Sequence, residues 1–174
     1  MLRAHSIAEI HMFLMATPCE QCGRGPLAAP ETPLPSAERR PQIEFHAACQ
    51  ACDHEHHYTF ALAPDAPDDD LDNLYPVVNP TDNPSEILDV GQWIVLFRIV
   101  LEAAGKERAK IEARRLGYEA AQCLAEALKF YEDNDLPPES AVRCPSTRSR
   151  LRNHPEQFSK EHLLARRAKL PAIS

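Results

Sequence analysis

The residues best equipped for chemistry in this chain are four cysteines in two pairs. They are Cys19-Glu20-Gln21-Cys22 and Cys49-Gln50-Ala51-Cys52, separated by 26 residues. Two CxxC pairs at this spacing can bring four thiolates to one Zn²⁺ at about 2.3 Å each, in a tetrahedron. Four buried thiols or two disulfides are the other readings of the same residues. Four thiolates close the coordination sphere, whereas a catalytic zinc keeps a position open for water, so the role expected of this single metal ion is structural. In such modules binding energy is folding energy, and removing the ion is expected to unfold the segment it ties together.

Other reactive side chains carry weaker signals. His46, His54, His56 and His57 crowd the second pair. They read as turn and strand histidines, one of them hydrogen-bonded to a metal thiolate, against the alternatives of a second metal site or a replacement ligand. Cys123, among alanines, reads as a small core residue. Cys144 follows Arg143, a neighbour that would lower a thiol pKa, but no catalytic partner is apparent. The carboxylates of 65–72 lack the spacing of a calcium loop. The chain contains no glycine-rich phosphate loop, nucleophile elbow or HExxH.

The elements that must position the cysteines follow from the local pattern. Ser6 with Glu9 three residues on reads as a capping box, starting a short helical turn that leads into a strand over 11–16 and the first knuckle. QIEFHA (42–47) alternates apolar and polar and predicts a strand entering the second knuckle. HHYTFAL (56–62) predicts the strand leaving it, with Tyr58, Phe60 and Leu62 on one face. Strand, knuckle and strand, with Gly23 after the first pair, make residues 11–62 similar to the zinc-ribbon superfamily. Asp53 stands where many ribbons have Gly, and Asp tolerates the left-handed backbone such a turn needs. Rubredoxins share these knuckles around iron; the absence of a rich aromatic shell in the local sequence favours zinc.

The rest of the chain divides by composition. Residues 64–84 form an acidic, proline-rich linker, with Leu71, Leu74, Tyr75, Val77 and Val78 available to wrap on a neighbour. Ser85 is the expected cap of a helix from Glu86 to Ala104 that stops at Gly105. Its apolar middle, Trp93–Leu101, should be buried on more than one side. A second helix over 106–133 repeats Ile111, Tyr118, Ala121, Leu124, Leu128 and Tyr131 before Pro137-Pro138. The glycine between them predicts an antiparallel hairpin over 85–135. Trp93, Phe97 and Tyr131 read as core anchors. Residues 136–174 are a basic arm with a short helix capped by Ser159 and running to Lys169. The expected fold class is α+β: a zinc-ribbon-like unit over 1–63, then the linker, the hairpin and the short C-terminal helix.

Charge and composition bound the function. The 174 residues carry a net charge of −7, yet from Arg143 onward 8 Lys/Arg face 2 Glu. Such an arm either docks on the acidic body or meets a polyanion, for which Arg148, Arg150, Arg152, Arg166 and Arg167 are the candidate contacts. The longest apolar run, nine residues interrupted by Arg98, is too short for a membrane span of about 18 residues. With no signal peptide and paired CxxC motifs, the expectation is a cytoplasmic protein that binds no membrane. The leading expectation is a non-enzymatic, zinc-stabilised adaptor whose partner is another protein. The alternative is a nucleic-acid-binding regulator acting through the basic arm.

Overall fold

The computed structural model describes residues 1–28, 42–64, 66–67 and 77–172. The chain divides into two compact units, Met1–Thr81 with Ser85–Ile87, and Asp82–Pro84 with Leu88–Ser174. Residues 29–41 of the loop between the knuckles, and 65 and 68–76 of the expected linker, including Leu71, Leu74 and Tyr75, lie outside the described residues. Among the described residues no helix is long and apolar enough to cross a membrane.

The first unit is a four-stranded sheet with one helix. In chain order it contains β1 (Leu2–Ala4), α1 (Ile7–Ala16), β2 (Leu27–Ala28), β3 (Gln42–Cys49) and β4 (Glu55–Leu62). The strand order is β1-β4-β3-β2, with β1 parallel to β4 and the other pairs antiparallel. Alternation on β3 buries Phe45, Ala47 and Cys49 and exposes Glu44, His46 and Ala48. Phe13 of α1 meets Tyr58 and Phe60 edge-on at 5.2 and 5.5 Å, and Phe45 meets Phe60 at 5.7 Å. These T-shaped contacts seat α1 on the sheet face that carries the apolar side chains.

Half of the expected capping box at Ser6 forms: its hydroxyl accepts from the Glu9 amide at 3.0 Å and donates to the Val78 carbonyl at 2.6 Å, while the Glu9 carboxylate accepts from the His5 amide. Val78 is buried there, a packing role foreseen for this part of the linker. The strand expected over 11–16 is instead the continuation of α1. His11–Ala16 contains no β-branched residue, and Ile7, Ile10, Phe13 and Leu14 recur at helical spacing, so the chain buries one helical stripe.

The second unit is helical: α2 (Val90–Lys106), α3 (Lys110–Leu128), a 3₁₀ turn at Glu139–Ala141, α4 (Pro145–Asn153), a second 3₁₀ turn at Pro155–Phe158, and α5 (Lys160–Arg167). Helix α2 starts at Val90 rather than Glu86. Asp89 caps it by accepting from the Gln92 amide at 2.9 Å, while the Gln92 side chain accepts from the Asp89 amide at 3.0 Å. Ser85 instead accepts from the Ile87 amide at 3.3 Å in a local turn. Gly105 lies inside the last turn, and α3 begins at Lys110, leaving Ile111 74% exposed instead of in the core.

Helices α2 and α3 pack on each other. Trp93, Leu96 and Phe97 of α2 are buried, as are the small Ala120, Ala121, Cys123 and Ala127 of α3. Cys123 is the core thiol its neighbours implied, its pKa driven up by burial and by the nearby Glu119 and Glu126 carboxylates. The basic arm is part of this unit: α4 packs on α2, α5 on α3, and Phe158 and Leu163 are fully buried. Tyr131 donates to the Phe158 carbonyl at 2.7 Å. Ser159 caps α5, which ends at Arg167, two residues short of the expected end, and Asp135 accepts from the Ser159 hydroxyl and the Glu161 amide at 3.1 and 3.0 Å.

Candidate metal centre

Each pair of cysteines sits in a turn of the same construction. The Gly23 amide donates to the Cys19 carbonyl and the Asp53 amide to the Cys49 carbonyl, both at 2.8 Å. The Cys19 amide donates in turn to the Arg24 carbonyl, and the Cys49 amide to the His54 carbonyl. The residue after each second cysteine is left-handed, with φ +68° at Gly23 and +55° at Asp53. The turns are carried by rigid elements: the first follows α1 and precedes β2, the second joins β3 to β4. Strand pairing places Leu27 opposite Cys49, so β2 ties the first turn to the second.

This construction brings all four sulfurs within 4.8 Å of one another. Cys19 and Cys52 are 3.7 Å apart, as are Cys22 and Cys49. A tetrahedron with metal–sulfur bonds of about 2.3 Å has edges of about 3.8 Å, which these distances match. A disulfide would need about 2.05 Å, and the cysteines are free. The donor set therefore fits one metal ion with four thiolate ligands.

The electrostatics also call for a cation. The Cys22 thiol is pulled down to about 7, first by the backbone amide of Arg24 and also by hydrogen bonds from the other three cysteines. At Cys52 the His54 amide likewise favours the thiolate. Desolvation and hydrogen bonds with Cys22, Cys49 and Cys19 outweigh it and push the thiol up to about 12. Four sulfurs this close cannot all ionise without a positive charge among them. A third amide, that of Ala51, points at Cys49 Sγ from 3.4 Å.

One of the four histidines near the second knuckle reaches the cluster. His56, buried on β4, places Nε2 3.3 Å from Cys19 Sγ and stacks on Tyr58 with ring planes 4° apart. In the tautomer that carries a proton on Nε2 it donates to Cys19 Sγ and orients it. His46 and His57 face each other across β3 and β4 on the exposed side, with ring centroids 4.5 Å apart. The expected absence of an aromatic shell, which favoured zinc over iron, is overturned, because the shell is assembled from residues distant in sequence. Phe13, Phe45, Tyr58 and Phe60 converge from separate elements into one cluster, and Tyr58 lies close enough to Cys19 to feel its charge.

The five candidate arginines do not form one free surface. Arg148 and Arg152 are exposed on α4. Arg150 is drawn inward: its guanidinium lies 5.7 Å from the Phe158 ring centre, and Nη1 points to the Gly91 carbonyl at 3.4 Å. Arg166 lies over Phe97 at 5.9 Å, and Arg167 donates to the Pro171 carbonyl at 3.0 Å. Cys144 is not activated by Arg143. Burial, and next the Asp89 carboxylate, push its thiol up to about 11.

No protein-family model matches the chain, and neither the curated proteins nor the solved structures contain a match to it.

Proposed function

We propose that the protein is a non-enzymatic adaptor whose first unit is a zinc-ribbon-like module held by one structural Zn²⁺ on Cys19, Cys22, Cys49 and Cys52. In this reading α2 and α3 act as an antiparallel hairpin that offers its surface to another protein. The observation that carries the metal part is the set of four sulfurs within 4.8 Å of one another, two pairs of them 3.7 Å apart, close to the edge of a four-thiolate tetrahedron. A thiolate-only set suits zinc, and a closed sphere suits a clamp rather than a reaction centre. The adaptor part draws support from the low catalytic content around the site: the one buried histidine there is committed to a sulfur.

The test is elemental analysis of the purified chain, followed by chelation. The expected result is about one zinc per chain, with chelation removing the tertiary signal of Tyr58 in the first unit while Trp93 fluorescence in the second persists. Iron with a red colour, or no metal, would overturn the zinc reading. The regulator alternative would act through the exposed Arg148 and Arg152. Retention on RNA that falls steeply with salt and disappears in a doubly substituted R148Q/R152Q chain would replace the adaptor with it.

A further inference from the structure

A cavity of about 230 Å³ opens in the helical unit between α2, the second 3₁₀ turn and α5. Its apolar wall is made by Ile94, Phe97 and Leu163, all buried. Arg98, Arg166, Gln157 and His162 supply the polar lining, together with one carboxylate, Glu156. An apolar cavity of about 150 Å³ suffices for benzene, so this one has room for a ring and a small polar substituent.

The two arginines are held in place by neutral partners, and the Glu102 carboxylate, paired first with Lys106, also feels the Arg98 charge. Arg98 Nη1 donates to Gln157 Oε1 at 3.3 Å, and Arg166 Nε donates to His162 Nε2 at 2.8 Å. The Arg166 guanidinium also lies over the Phe97 ring. Neither arginine forms an ion pair among the described residues, and the terminal nitrogens of Arg166 make no hydrogen bond there. Glu156, the one acid in the lining, lies 3.5 Å from His154 instead. Two guanidinium groups with no close ion pair among the described residues, beside an aromatic wall, suit an anionic group whose oxygens Arg can meet with two parallel hydrogen bonds.

We propose that this cavity binds a small organic anion, a carboxylate or phosphate carried on an apolar ring or short chain. Arg98 and Arg166 take the anionic group, and Ile94, Phe97 and Leu163 receive the body. Arg98 interrupts an otherwise apolar stretch of α2, and this site gives that interruption a purpose. The acceptor bond to Arg166 requires the neutral His162 tautomer protonated at Nδ1.

Calorimetric titration of the full, metal-loaded chain with benzoate, phenyl phosphate, benzamide and inorganic phosphate tests this. The expected result is saturable binding of benzoate or phenyl phosphate, at least about tenfold tighter than benzamide. The stronger of the two identifies the head group. Arg98→Gln and Arg166→Gln should each weaken binding about tenfold without lowering the melting temperature, because both side chains lie at the surface. Arg166→Lys, which keeps the charge and loses the fork, should fall between. No saturation below about 10 mM, equal binding of benzamide, or inorganic phosphate binding as well as phenyl phosphate would overturn the proposal. So would glutamine variants that bind as the parent does.

Discussion

Gly23 and Asp53 occupy equivalent places in the two turns that carry the cysteine cluster, each left-handed and each donating its amide to a cysteine carbonyl four residues back at 2.8 Å. Only one of them is glycine, which makes the pair a built-in comparison. A Cβ at Gly23 would meet nothing within 4 Å, so Gly23→Ala pays only the backbone term of about 1 kcal/mol. Asp53→Gly relieves that term and should leave stability unchanged or raise it by up to about 1 kcal/mol. Asp53→Val, with a branched Cβ in a left-handed residue, should lose about 2 kcal/mol. Thermal melts of the metal-loaded chain, repeated with a competing chelator, read all three. An Asp53→Gly chain less stable than the parent would mean that the Asp53 side chain does more than tolerate the turn.

His56 gives a prediction about the metal rather than the backbone. Replacing it with Phe keeps the ring stacked on Tyr58 and removes the donor to Cys19 Sγ. Loss of such an orienting contact commonly costs 10- to 100-fold in metal affinity, and that range is expected here from chelator competition. His57→Phe, on the exposed side of the same strand, should leave affinity unchanged. Equal losses in the two variants would mean that strand packing, and not the hydrogen bond, sets the affinity.

How far the sequence disclosed this structure depended on the range of the interaction. The cysteine cluster and the hairpin of β3 and β4 were legible because each depends on neighbours: CxxC turns, and the alternation of Phe45, Ala47 and Cys49. Strands β1 and β2, three and two residues long, have no signature of their own and exist only through pairing with β4 and β3. The start of α2 was illegible for a similar reason. Ser85 and Asp89 both look like caps, and the choice is made by Arg143, Cys144 and Thr147, 54 to 58 residues downstream. The inward turn of Arg150 depends on Phe158 and Gly91 in the same way.

Cys144 carries a pH prediction that separates it from an activated thiol. Its proton is held up to about 11 by burial and by Asp89, so at neutral pH almost none is thiolate. Alkylation of Cys144 in the metal-loaded chain should be slow at pH 7.5 and accelerate about tenfold per pH unit, levelling off only near 11. A raised folded pKa also means that the folded state holds this proton more tightly than the unfolded chain. Its contribution is therefore present below the unfolded thiol pKa and lost as pH rises toward 11. Mass spectrometry of peptides after timed alkylation gives the rate. A plateau near pH 8 would show that Arg143 governs the thiol after all.

The fully buried Asp89 carboxylate accepts four hydrogen bonds in the helical unit, and its removal should be costly. One oxygen accepts from the Gln92 amide at 2.9 Å and the Thr147 hydroxyl at 2.8 Å. The other accepts from the Arg143 and Cys144 amides at 3.1 and 2.8 Å. Asp89 and the Thr147 hydroxyl are buried and the other three donors are part-buried, so removing the carboxylate leaves donors with little access to water. Asp89→Asn keeps the shape but turns an NH₂ toward two amides that need an acceptor, and should cost about 3 kcal/mol. Asp89→Ala strands all four donors and should cost about 5 kcal/mol, enough to threaten the unit. Thr147→Val removes one donor along with its bond and should cost only about 1 kcal/mol. The same junction constrains Gly91, where a Cβ would lie 2.4 Å from Thr147 Cγ2 and 2.8 Å from its Cβ. Gly91→Ala must therefore push α4 away from α2 and is expected to destabilise by about 2 to 3 kcal/mol despite the better helix propensity of alanine. Urea denaturation followed by Trp93 fluorescence measures the series. The order Thr147→Val, Gly91→Ala, Asp89→Asn, Asp89→Ala is the result expected, and an Asp89→Asn chain as stable as the parent would remove Asp89 from the centre of the network.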